Sequence, residues 1–382
     1  MPEARTSGRP VDLLFDARHV HQSGIGTYIR THLPYIEDSA ARHGLCLAVL
    51  AGQDSLPELR ASTDVVVASD PAAAMYSAAE QLVWREAFDQ TRPRAVWLPH
   101  YPYPAARLQP RHRRMLTYVT VHDTIHVLPQ SISGQSLAYR MYAQLMLRAD
   151  ARSCKRIFTP SEATAFAVRS VAPSARIQVA PIQVDEAWMK PADPSLSPVD
   201  GRYLLYVGNT KRYKNLPLLL EAFSDLADTV PHKLVIAGGG ATVRTMDERV
   251  RQLAEVHGDR VVLIGQVEFG ILRALVAAAE LLVMPSLYEG AGLPPLEAMA
   301  SGTAVLSSDI PVLRETCGEG ADYFGPHDRE GLARLMRRYC EDDVVRAELA
   351  VRGLSHVTTR QQRIDPALAA DSICRDLASS TR

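Results

Sequence analysis

The chain has 382 residues, more than the ~250–300 that one hydrophobic core usually supports, so two domains are expected. Hydrophobic residues make up 47% of it and the net charge is −1, which fits a globular enzyme and leaves no global field for nucleic acid. Five scattered cysteines with no C-x-x-C pair fit reduced thiols in a cytoplasm; no signal-peptide core opens the chain, and no window reaches the ~20 apolar residues of a membrane span.

Short apolar runs at 11–15, 45–50, 65–67, 95–98, 115–121 and 156–159 read as strands, with helical patterns at 136–155 and 161–171. A proline-, serine- and aspartate-rich break at 190–200 is the expected linker. The rhythm then restarts with strand 203–207, helix 216–228, strand 233–237, helix 242–257 and strand 261–264. Helix 271–279, strands 281–284 and 304–306 and a helical tail from Arg329 follow. This alternation predicts an α/β protein of two doubly wound, Rossmann-like domains facing a cleft, with ligands beyond the carboxyl ends of the strands.

The strand-to-loop junctions therefore carry the chemistry. Ser23-Gly24-Ile25-Gly26, before a helix at Tyr28, reads as a phosphate or sugar cradle or as a plain glycine-rich loop. Its missing third glycine excludes a dinucleotide fingerprint. His122 and Asp123 close the strand 115–121, where the histidine either caps a loop or reaches a reacting sugar, and His100 is a lesser candidate. His19 with His21, and His122 with His126, show no further ligands nearby in sequence, so no metal site is expected. Tyr206-Val-Gly-Asn-Thr-Lys-Arg-Tyr-Lys-Asn215 sets Asn209, Lys211, Arg212 and Lys214 just before a helix. Such cations suit a diphosphate at ~1.5–3 kcal/mol per charge-assisted contact, or form a solvated basic loop. Gly238-Gly-Gly240 and Gly265-Gln-Val267 present backbone to a base or are simple turns.

The most informative segment is Glu289-Gly-Ala-Gly-Leu-Pro-Pro-Leu-Glu297, between an apolar strand and a helix starting near Pro294 or Pro295. Two carboxylates bracket a turn whose small residues admit a ligand to backbone N–H groups, the geometry of a nucleotide-sugar site. A loop acid plus a solvated helix face is the alternative. As one continuous helix the pair would lie ~12 Å apart, wider than a glycosidase pair.

With these residues in view, the chain resembles the retaining glycosyltransferases of family 4, the group 1 glycosyltransferases, which have the GT-B fold. The glutamate-bracketed turn looks like their E-x7-E signature, which implies sugar contact for Glu289 and ribose contact for Glu297. Backbone donors are implied at Gly290, Ala291, Gly292 and Leu293. Lys214-Asn215 matches the lysine that neutralises the donor diphosphate; Tyr213 stands where many members carry arginine, leaving Arg212 as the second cation. Asp16-Ala-Arg18 with Gly24 and Gly26 resembles the N-terminal glycine loop, and His122-Asp123 the histidine over the sugar ring. The resemblance thus implies catalytic roles for Glu289, Lys214 and His122. Donor contacts are expected from Gly24, Gly26, Asn209, Arg212, Val267, Gly290, Ala291, Gly292, Leu293 and Glu297.

The implied organisation is an acceptor-binding domain over 1–190, a nucleotide-sugar-binding domain over 191–365 and a helix over 366–382 returning to the first domain. The implied activity moves mannose or another hexose from a nucleotide-diphosphate sugar to a glycan or lipid-linked acceptor. No cofactor is expected, and no D-x-D occurs to hold a metal. Other GT-B activities (a sugar phosphorylase or a nucleotide-sugar epimerase) and a non-catalytic nucleotide-sugar sensor are the alternatives. Two basic stretches, 110–114 and the helix bearing Arg140, Arg148, Arg152, Lys155 and Arg156, are solvated faces or contacts to a lipid diphosphate or an anionic, inner membrane surface.

Overall fold

The computed structural model describes residues 10–22, 24–52, 58–75, 77–101, 104–239 and 248–379. The chain divides into two compact units: one of 1–127, 137–183 and 365–382, the other of 128–136 and 184–364.

In chain order come β1 (Leu13–Asp16), α1 (Ile25–Arg42), β2 (Leu47–Ala51), β3 (Asp64–Val67), α2 (Ala78–Thr91), β4 (Ala95–Leu98) and β5 (Leu116–Thr120). After the short α3 (Gln130–Ser133) follow α4 (Leu137–Ser153), β6 (Arg156–Thr159), α5 (Glu162–Val171) and β7 (Ile177–Val179). The seven strands form one sheet in the order β3-β2-β1-β4-β5-β6-β7. Every pairing is parallel, with Leu13 of β1 opposite Leu47 on one side and Ala95 on the other. Helices cover both faces of such a sheet, so its central strands are wholly buried and read as unbroken apolar runs. Ser77 and Ser161 start α2 and α5 by accepting from the amides of Glu80 and Thr164.

The second unit contains β8 (Tyr203–Val207), α6 (Leu216–Ser224), β9 (Lys233–Ala237), α7 (Glu248–Val256), β10 (Val261–Gly265), α8 (Phe269–Ala278) and β11 (Leu281–Met284). It continues with α9 (Leu293–Ala300), β12 (Ala304–Ser308), α10 (Pro311–Cys317), β13 (Asp322–Phe324), α11 (Arg329–Glu341) and α12 (Asp343–Arg363). Its six parallel strands run β10-β9-β8-β11-β12-β13. Both sheets thus reverse strand order next to their first strand, the position at which doubly wound sheets bind ligands.

The final helix, α13 (Leu368–Ser379), belongs to the first unit and packs on α1. It buries Ile373, Cys374 and Leu377. Arg94 donates to the Leu377 carbonyl at 2.9 Å, Tyr118 to Asp376 at 3.0 Å and Gln178 to Ser372 at 3.0 Å.

The structure departs from the sequence expectation in two places, both at the division between the units. The units divide at 183/184 instead of 190/191, because the presumed linker folds into the second unit. There a 3-10 turn at Pro194–Leu196 packs on α8, and Arg273 donates to the Lys190 carbonyl. The segment 128–136 also joins the second unit, where α3 packs on the turn Arg212–Lys214. The predicted helix 242–257 is described only as α7, since 240–247 lie outside the described residues. Among the described residues no helix is long and apolar enough to cross a membrane.

Ile373→Ala should destabilise the first unit by about 2–5 kcal/mol, the cost of a large-to-small change in a packed core. Denaturant unfolding would read it; a loss under about 0.5 kcal/mol would mean that α13 is not integral to that core.

Candidate active site

In the second unit two strand ends converge. β8 runs out through Gly208 into a 3-10 turn, Arg212–Lys214, and β11 runs out through Pro285 into the loop that carries Glu289. The loops are stitched together: the Leu287 amide donates to the Tyr213 carbonyl at 2.8 Å. Asn215, at φ 56, turns the chain into α6 while its side-chain amide donates to the carbonyls of Pro285 and Pro326, at 3.2 and 3.0 Å. The result brings residues 75 apart in sequence into an ion pair, Lys214 Nζ to Glu289 Oε1 at 2.6 Å. Ser286 Oγ donates to the same oxygen at 2.6 Å. Lys214 is buried, and such a charge is tolerated only where a carboxylate or a bound anion compensates it. Tyr206, beneath the turn, is held well above its usual pKa by burial and then by the charge of Glu289.

The turn after Glu289 is shaped for close approach. Gly292 caps α9 at φ +64, and a side chain there would strike Leu313 Cδ2 at 2.7 Å. Pro294 and Pro295 have no N–H, so amide donors for an anion at this helix start come from Gly290 to Leu293. Glu297 sits half-buried in α9, and burial, with Asp185 adding repulsion, pushes its carboxyl up to about 7. Around the neighbouring strand ends, backbone meets backbone. Gly238 N–H donates to the Gly265 carbonyl at 2.7 Å, and a Cβ on Gly238 would lie 2.4 Å from the Gly208 carbonyl oxygen.

In the first unit, Gly24 (φ +73) caps α1, and Gly26 faces the preceding loop so closely that a Cβ would sit 2.6 Å from the Val20 carbonyl oxygen. Tyr28, in the first turn of α1, shares a hydrogen bond with Thr120 at 3.0 Å and meets the edge of His122 at 4.7 Å between centroids. His122 Nε2 donates to the Pro99 carbonyl at 2.7 Å, which fixes the tautomer and leaves Nδ1 as an acceptor. Burial holds its pKa down at about 4, so the ring is neutral near pH 7.

Behind this loop lies a buried network that sequence reading missed. Arg18 grips Asp16 with Nε at 3.0 Å and Nη2 at 2.7 Å, and Trp84 donates to Asp16 at 2.9 Å. Glu80 Oε1 accepts from His100 at 2.7 Å and from Arg18 at 3.2 Å. His19 does have ligand-type neighbours after all: it, Glu80 and His100 place one donor atom each within 4.8 Å of one another. The Arg18 guanidinium already supplies the positive charge at that carboxylate, so we read the trio as part of a charge network supporting the glycine loop. His100 thus lies in the interior, bonded to Glu80.

The structure brings Lys214 and Glu289 together in one unit; in the other, Tyr28 of the helix that carries Gly26 meets His122. Arg212 is exposed. Asn209 organises its own turn, accepting from the Lys211 amide at 3.1 Å and donating to Tyr213 at 3.3 Å. Val267 is half-buried between β10 and α8, and Gly240 lies outside the described residues. Ser286 is a site residue the sequence reading did not find; a serine just past a strand carries no signal of its own.

The buried histidines give a pH dependence whose sign can be worked out. Burial lowers His32 and His122 to about 4, so they contribute stability above pH 6.5 that is lost as pH falls toward 4. Asp150, raised by burial to about 8, acts oppositely: its contribution is present at low pH and lost as pH rises through 8. Near pH 5, inside that window, the unfolded first unit therefore binds about one net proton more than the folded one. Its stability should fall on acidification by about 1.4 kcal/mol per pH unit, and His122→Gln should flatten that slope. Denaturant midpoints against pH would check this; stability rising on acidification in the unmodified protein would contradict it.

Residues 192–354 match the family model described as glycosyl transferases group 1. Among curated relatives, the O-antigen chain mannosyltransferase RfbU of Salmonella typhimurium is 29% identical over 208 residues, 54% of this chain and 57% of that protein. The match thus spans little more than half of that relative's length. Two solved structures share the fold: sucrose-phosphate synthase from Thermosynechococcus elongatus (TM-score 0.76, 19% identity, covering 97% of this chain and 100% of that one) and Anabaena Alr3699/HepE in complex with UDP-glucose (0.70, 16%, 97% and 99%). The chain thus has the GT-B fold, with two Rossmann-like sheets, and the glutamate-bracketed turn and the lysine loop lie within the stretch that matches the group 1 glycosyltransferases.

Proposed function

We propose that the protein is a retaining glycosyltransferase that moves a hexose, mannose by analogy with its O-antigen relative, from a nucleoside-diphosphate sugar to a hydroxyl of a glycan or lipid-linked acceptor. The observation that carries the reading is the contact of Lys214 Nζ with Glu289 Oε1 at 2.6 Å, at the end of adjacent parallel strands. Lys214 neutralises the diphosphate as the glycosidic bond breaks, assisted by the amides of Gly290, Ala291, Gly292 and Leu293. Arg212, exposed beside it, reaches the same phosphates as a second cation. Glu289 receives hydroxyls of the sugar, Glu297 those of the ribose, and Asn209 and Val267 line the nucleotide. HepE, of the same fold, is known in complex with UDP-glucose, which supports a nucleotide-sugar donor here.

His122, neutral and with Nδ1 free to accept, orients a sugar hydroxyl, while Gly24 and Gly26 let backbone approach the reacting groups. Retention follows from attack on the face the diphosphate leaves, the departing phosphate taking the acceptor's proton; Glu289 then positions the sugar and forms no bond to it. With no D-x-D pair in the sequence, the leaving charge is met by Lys214 and backbone donors without a metal ion. The free thiols of all five cysteines fit a cytoplasmic setting.

Lys214→Ala and Glu289→Gln should each lower turnover about 10²–10³-fold, the scale of losing one preorganised electrostatic contact. Unfolding midpoints should move far less. Product analysis with nucleoside-diphosphate sugars, with and without acceptor and with EDTA, tests the reading. A near-normal rate in folded Lys214→Ala protein would remove the diphosphate role, loss of transfer in EDTA the metal-free route, and sugar phosphate as product the transferase assignment itself.

A further inference from the structure

α4 exposes a face that the interior does not use. Its inner side buries Ala143, Leu147, Asp150 and Ala151, as an amphipathic helix on a sheet should. The opposite side is not polar throughout. Leu137, Met141 and Leu145 stand at successive i, i+4 positions and are 65%, 62% and 58% exposed. They form one apolar ridge of about 12 Å at 1.5 Å per residue. Continuing along the same face are the exposed Arg148 and Arg152, with exposed Lys155 just past the helix end. The one carboxylate of α4, Asp150, points inward and is buried, so the outer face carries cations alone. The neighbouring α5 adds Phe166, 72% exposed.

We propose that this face of α4 docks the first unit on an anionic lipid surface. A membrane interface offers the two environments the ridge needs side by side: an acyl–headgroup boundary for Leu137, Met141 and Leu145, and phosphates for Arg148, Arg152 and Lys155. A second copy of the chain fits less well. Pairing two such faces sets each cationic half against its like or against the partner's apolar half, which strips water from guanidinium groups without compensation. Arg156, counted with this patch from sequence, does not belong to it. It starts β6, and its guanidinium is 3.2 Å from Asp376. Arg111 is likewise paired, with Asp89 at 2.5 Å.

The test is flotation of the full chain with phosphatidylcholine vesicles, with and without 30% phosphatidylglycerol, at low and high salt. Binding should require the anionic lipid and weaken as salt rises. Arg152→Glu with Lys155→Glu should lower the partition coefficient at least ~25-fold, at about fivefold per cation. Leu137→Ser, Met141→Ser and Leu145→Ser together should lower it by a further order of magnitude or more. The substituted residues are exposed, so circular dichroism and unfolding midpoints should be unchanged; if the triple variant is unfolded, Met141→Ser alone should still lower binding several-fold. No binding at low salt, equal binding by the variants, or a dimer in sedimentation abolished by the serine substitutions would each overturn the proposal.

Discussion

The second unit is organised around one contact, Lys214 Nζ on Glu289 Oε1. Removing an ammonium from water is costly, and one carboxylate, itself largely withdrawn from solvent, does not alone repay it. The structure meets the cost with geometry: two loops from adjacent strands are locked by the amide of Leu287 on the Tyr213 carbonyl and by the Asn215 side chain across two prolines. Ser286 then binds the same carboxylate oxygen, so Glu289 is held whether or not the lysine remains. A ligand that draws Lys214 away must therefore bring its own negative charge and must offer Glu289 a replacement donor. A sugar diphosphate has both, its phosphates for the lysine and its hydroxyls for the acid.

The first unit solves a different problem, that of holding a glycine loop in one conformation without filling its space. Gly26 leaves no room for a side chain, so its neighbours cannot be fixed by packing there. They are fixed from below instead. Arg18 is clamped between Asp16 and Glu80, and Glu80 is in turn bonded to His100. Trp84 adds its indole N–H to Asp16. Because each charge in this set is hydrogen-bonded, burial is sustainable; losing one member would leave another uncompensated, so the network behaves as a unit.

Much of the fold was legible in the sequence because the central strands of parallel sheets are buried on both faces. β4, β6, β8, β9 and β11 fall where unbroken apolar runs place them. The edge strands β7 and β13 escaped, being three residues long and only partly buried. α2 went unread although Val83, Trp84, Ala87 and Phe88 stand at helical spacing; what no local pattern gives is its buried Glu80, which Arg18 and His100, remote in sequence, come to meet. The break at 190–200 has linker composition yet packs on α8, since proline and aspartate that end helices also build 3-10 turns. The glutamate turn and the lysine loop stood out because glycine, proline and charge recur there at fixed spacing. Their meeting at a single carboxylate oxygen depends on strand order, which no local pattern encodes.

Glu297 extends this argument to the nucleotide. Its carboxyl is raised to about 7 by burial and by Asp185, so near neutrality it is divided between acid and anion. A neutral acid offers one donor and accepts poorly, whereas a pair of ribose hydroxyls needs an acceptor on each oxygen. If Glu297 receives such a diol in the proposed complex, the new hydrogen bonds favour the ionised form and draw its pKa down. Donor binding near pH 7 is then linked to release of a fraction of a proton. The same desolvation that disfavours the ionised carboxylate would make those two bonds stronger in the proposed complex.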